Sequence, residues 1–133
     1  MRIKNKKSII KYWISLAEKD IEVMDSLFKS SHYPYALFIG HLATEKILKA
    51  YYVDKKEKHP PFIHDLARLA VESGLTFSEE EKTFLDAVSQ FNIEARYPDI
   101  KLSFYERANR DFTSDYINKI KEFYQWVRLK IQL

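Results

Sequence analysis

From Ser8 to Ser30 the apolar residues fall at Ile9, Trp13, Leu16, Ala17, Ile21, Met24, Leu27 and Phe28. Steps of three and four gather side chains on one face of a helix, because an α-helix turns once in about 3.6 residues. The pattern returns between Pro34 and Val53. There Leu37, His41, Thr44, Leu48 and Tyr51 share one stripe, with Phe38, Leu42, Glu45 and Lys49 beside it. Pro34 suits a helix first turn, where its missing N–H is no loss. The segment KKEKHPP, Lys55 to Pro61, reads as a loop. A short helix is expected over Asp65–Ser73, with Gly74 as its C-terminal cap. A fourth helix opens on SEEE, where Ser78 and Glu81 have capping-box spacing. A fifth is expected from Ser103, where Glu106 repeats that spacing, through Phe112, Tyr116, Ile120, Phe123 and Val127 to Ile131.

The chain holds only 2 glycines and 4 prolines, too few for the many turns of an all-β fold. The expectation is therefore all-α: an up-and-down bundle of about five helices forming one domain over residues 1–133. A fifth helix over residues 103–131 would exceed about 40 Å at ~1.5 Å per residue, long for so small a domain. It also carries Phe104, Tyr105, Phe112, Tyr116, Phe123, Tyr124 and Trp126 on more than one face. More ring surface than one chain buries points to a symmetric homodimer.

Residues 1–11 hold Arg2, Lys4, Lys6, Lys7 and Lys11 and no acid, a charge of +5. The whole chain is +3, so the remainder is 3 − 5 = −2. Residues 1–7 read as a basic tail, and the body is no general nucleic-acid platform. No apolar run approaches a membrane span, and Lys11, Glu18, Lys19 and Asp20 interrupt any signal-peptide core. A cytoplasmic location is expected, with no membrane partner. There is no cysteine, which removes thiol nucleophiles and thiolate metal sites. Gly40 and Gly74 cannot make a glycine-rich phosphate loop, and no nucleophile elbow is present.

Some residues remain that could carry chemistry. His41 and Glu45 are one helical turn apart, as an acid/base pair, two metal ligands, or a local hydrogen-bonding pair. The spacing lacks a third ligand, so no metal and no cofactor is expected. Glu45 and Lys49 have the favoured direction for an i, i+4 salt bridge. Lys46 belongs to a solvated face or points with Arg96 to a shared anion. His64 precedes Asp65, a good N-cap, and either satisfies the turn or sits at an anion-binding helix start. In IEARYPD, Ile93 to Asp99, Pro98 pushes Tyr97 out of helical geometry and leaves Arg96 at a helix end. Arg96 can then reach a phosphate, a partner chain, or a carboxylate such as Glu45 or Asp99.

Four segments taken together resemble the HEPN family, all-helical domains named for nucleotide binding. They are W-x-x-x-A-x-x-D-I from Trp13 to Ile21, HYPYALFIGHLATEKILKA from His32 to Ala50, HDL from His64 to Leu66, and ARYPD from Ala95 to Asp99. The resemblance implies a dimerising bundle, often working beside a minimal nucleotidyltransferase in toxin–antitoxin-like pairs. Many members are ribonucleases whose signature is an arginine, four to six residues, then a histidine. Counting from Arg96, that histidine would fall where this chain has Lys101, Leu102 and Ser103. A lysine ammonium is a poor general base near neutral pH. The resemblance thus implies a non-catalytic module that binds a nucleotide or a nucleotidyltransferase partner. In it Arg96 contacts phosphate with Lys46 or Lys49, Tyr97 stacks, and His64 and Asp99 orient groups nearby. A ribonuclease using His64 or His41 on RNA is the second expectation, and a purely structural dimerisation domain the third.

Overall fold

The structure is a computed structural model that describes residues 4–133, apart from the side chains of residues 98 and 99. The described residues form six helices: α1 (Lys6–Lys29), α2 (Tyr33–Lys56), α3 (Leu66–Glu72), α4 (Glu79–Glu94), α5 (Pro98–Arg107) and α6 (Arg110–Lys130). No strand occurs among the described residues. α2 is the central element, and α1, α3, α4, α5 and α6 all pack on it. Its sequence explains why. Small and apolar residues lie on several sides, so Ala36, Leu37, Ala43, Ile47, Leu48, Ala50 and Val53 are all fully buried. A helix apolar on more than one side must be surrounded. Gly40 lets α6 come close: a Cβ there would stand 2.6 Å from Ile120 Cδ1 and 3.0 Å from the Met24 sulfur.

Local signals set most of the helix ends. Pro34 lies in the first turn of α2. Asp65 caps α3, its carboxylate accepting from the Arg68 N–H at 3.1 Å. Gly74 follows α3 with φ 83, the left-handed conformation glycine adopts without steric cost. The Ser78–Glu81 capping box is complete in both directions. Tyr97 is extended, φ −91 and ψ 120, as the following proline requires.

Three expectations change. Pro98 does more than end one helix. It occupies the first turn of another, so α5 starts there and Ser103 lies inside it, where no capping box can form. The single helix expected over residues 103–131 is two helices, separated at Ala108 and Asn109. Asn109 caps α6 by accepting from the Phe112 N–H at 2.9 Å. The over-long helix therefore does not exist, and its aromatics other than the exposed Tyr105 are buried or half-buried within one chain. Phe104, Phe123 and Tyr124 are buried, and Phe112, Tyr116 and Trp126 pack partly buried against the core. The length argument for a dimer drawn from that helix falls, and the ring-surface argument is reduced to the exposed Tyr105. Lys6 and Lys7 lie in α1 rather than a tail, and Lys6 pairs with Asp54 and Glu57 at the end of α2.

Candidate functional site

The middle of α2 carries His41, Glu45 and Lys49 along one face, each nearly solvent-free. The loop before α3 brings His64 over them. That loop is fixed at its far end by the Leu66 N–H, which donates to Ser89 Oγ of α4 at 2.9 Å. Glu45 is the hub. Its carboxylate lies 3.0 Å from Lys49 Nζ, 3.1 Å from His64 Nδ1 and 4.0 Å from His41 Nε2. Burial would raise its pKa, but hydrogen bonds from His64 and Lys49 outweigh that and hold it below the ordinary value. A carboxylate kept ionised can only accept. His64 Nδ1 must therefore carry the proton of the shared hydrogen bond, which leaves Nε2 for anything that approaches. The His64 side chain is 70% exposed, so Nε2 is open to a ligand.

His41 is 1% exposed, and among the described residues neither ring nitrogen has a hydrogen-bond partner. Burial lowers its pKa, against the pull of Glu45 and of the His64 backbone; the charges of His64 and Arg96 lower it further. It is therefore neutral at neutral pH. A buried polar group without a partner costs about 1–3 kcal/mol, and such costs concentrate at functional sites.

Arg96 stands just past the end of α4, exposed. Its Nε donates to the Asn92 carbonyl at 3.0 Å, and its guanidinium lies 6.0 Å from the Tyr97 ring centroid. Among the described residues it forms no ion pair, so neither Glu45 nor any other described carboxylate neutralises it. It is close enough to bear on His41 electrostatically. The Asp99 side chain lies outside the described residues.

The structure thus brings His41, Glu45, Lys49 and His64 together, with Arg96 and Tyr97 at the edge. Lys46 is turned toward α1, where it pairs with Asp20 at 2.6 Å. Lys49 is not on a solvated face: it is enclosed between Glu45 and Trp13, 5.0 Å from that ring. Neither lysine is a free cation for an anion. Lys101, one turn after Tyr97, lies between Tyr105 and Tyr35, which push its pKa above the ordinary value. That makes it a cation and not a base. Sequence reasoning found both halves of the Glu45 arrangement on α2 but not His64 as its third partner. The two are 19 residues apart on separate elements, and no periodicity joins them. Ser89, which supports the site, gave no signal beyond a helix position, and Trp13 entered only through the helix pattern and the family segment it opens.

The comparisons agree with this architecture. The chain matches the crystal structure of TT1696 from Thermus thermophilus with a TM-score of 0.79 and 16% identity, over 92% of this chain and 98% of that one. Identity that low speaks for the fold alone. No curated protein sequence matches. The family model described as HEPN domain matches residues 10–130, which spans α1 through α6, and the chain belongs to the HEPN domain family.

Proposed function

We propose that this chain is a HEPN binding module that takes the phosphate of a nucleotide at Arg96, with His64 beside it. The observation that carries the reading is the contrast among the cations. Lys46 and Lys49 are matched by carboxylates at 2.6 and 3.0 Å, whereas Arg96 is exposed and unmatched among the described residues. Arginine suits the role because its fork engages two phosphate oxygens at once. Tyr97 offers an exposed ring for a base to stack on. His64 Nε2 accepts from a ligand hydroxyl when the ring is neutral and donates to a phosphate oxygen when it is protonated. The module works in a homodimer beside a nucleotidyltransferase partner, in a toxin–antitoxin-like pair. Ile93, Tyr97, Ile100, Leu102 and Tyr105 are exposed apolar residues close to Arg96 along α4 and α5, and they support a protein contact there.

A thermal-shift screen against nucleotides tests the reading. The wild type should be stabilised, and Arg96→Ala should weaken the apparent affinity about tenfold or more, as loss of a charge-assisted contact does. If no nucleotide separates the two proteins, the nucleotide reading fails.

A second reading, RNA cleavage, is favoured by one observation: the Glu45–His64 hydrogen bond leaves an outward imidazole nitrogen, the arrangement of an oriented general base. Cleavage of single-stranded RNA should then vanish in His64→Ala. Activity that survives that substitution would rule His64 out as the base.

A further inference from the structure

α4 and α6 both pack on α2, and between them runs a groove of about 550 Å³. Its floor is four rings. Phe84 lies parallel to Tyr116 with centroids 6.5 Å apart and meets Phe123 at 5.5 Å; Phe123 meets Trp126 at 5.7 Å. Its banks are acidic, with Glu80 and Glu81 from α4 and Glu122 from α6. Lys119 also lines it; Asp115 stands 3.0 Å from that ammonium and is its main counter-charge, with Glu80 acting on it more weakly. Glu81 is engaged in capping α4. Glu80 and Glu122 are exposed, with no hydrogen bond or ion pair among the described residues.

The rings already show what they attract. Lys119 lies 5.1 Å from the Tyr116 centroid and Lys130 lies 4.7 Å from that of Trp126. Aromatic faces are negative and draw ammonium groups, the more so where carboxylates stand near. An anionic ligand would meet Glu80, Glu81 and Glu122 and be repelled, so this is no extension of the Arg96 site. The groove is a trough whose α6 wall, from Tyr116 to Trp126, runs roughly 15 Å at ~1.5 Å per residue. That shape suits an extended chain better than a compact molecule.

We propose that the α4–α6 groove binds a linear organic polyamine, its methylene segments lying along the four rings and its ammonium groups facing Glu80 and Glu122. The volume is within the range of small-molecule sites, and the aromatic floor between acidic banks matches a ligand that is apolar along its length and cationic at intervals.

Calorimetric titration of the intact chain with spermidine at constant ionic strength tests this. Saturable binding is expected. Glu80→Gln/Glu122→Gln should weaken it about tenfold, the combined worth of two partly exposed charge contacts, with at most a small fall in melting temperature from the loss of Glu80 in the first turn of α4. Lys82→Gln, on α4 but outside the groove, should bind like the wild type. Octane-1,8-diol, an uncharged chain, should not compete. The proposal is overturned if spermidine fails to saturate, if the double variant binds equally well, if the diol competes, or if only a lysine-rich peptide binds.

Discussion

Glu45 is a buried acid with three basic neighbours, and most of the candidate site depends on its charge. Truncating it would strand the Lys49 ammonium, which is only 9% exposed, against the Trp13 ring. Breaking a largely buried pair from one side is costly, so Glu45→Ala should lose about 2–4 kcal/mol in urea unfolding. A loss under about 1 kcal/mol would mean that Lys49 escapes to water. His41 predicts the opposite. Its two unpartnered nitrogens make it a stability defect, so His41→Leu should hold or raise stability by about 1 kcal/mol. The same pair sets a pH dependence. His41 has a folded pKa below its ordinary 6.5, so the unfolded chain binds the extra proton first. Stability is complete above that value and falls as pH drops through it. Glu45, with a folded pKa below its ordinary 4.5, adds a second loss at lower pH, present until the carboxylate protonates. The His41→Leu variant should flatten the first step and keep the second in a denaturation series from about pH 7 to about pH 3.

At the scale of elements, the break between α5 and α6 depends on one side chain. Asn109 supplies the cap that the Phe112 N–H needs, and Asn109→Ala should cost about 1 kcal/mol by thermal unfolding. Gly40 is a contest of two effects. Alanine would gain about 1 kcal/mol in helix propensity. The new methyl would meet Ile120 Cδ1 at 2.6 Å in a fully buried seam, and overpacking costs about 1–3 kcal/mol. Gly40→Ala should therefore be net destabilising, and a stabilised variant would show that Ile120 yields freely. Helices whose start and stop signals are local were legible from sequence: the Asp65 cap, the Ser78–Glu81 box and Gly74 stand where those residue types put them. The α5 start was not, because Pro98 reads as a stop from one side and as a first-turn residue from the other. Ser103 and Glu106 had the right spacing in the wrong place, since a helix already begun at Pro98 had no use for a cap there. Glu45 and Lys49 were legible as a pair on one helix. His64 as their neighbour was not, because only the packing of the α3 loop over α2 makes it one.

For the whole molecule, α2 at the centre leaves two faces with opposite charge character. The α2–α3–α4 face presents Arg96 and His64, cation and imidazole, beside exposed Tyr97. The α4–α6 face presents unpaired glutamates over aromatic rings. Arg96 is proposed as an anion contact and not a helix-end ornament. Isothermal titration of the wild type and of Arg96→Ala with ATP tests it most directly, because Arg96 is exposed and its removal leaves the core untouched. Saturable heat in the wild type that falls about tenfold or more in affinity in the variant is the predicted result. Equal affinity in the two proteins, or no binding by the wild type, would contradict it.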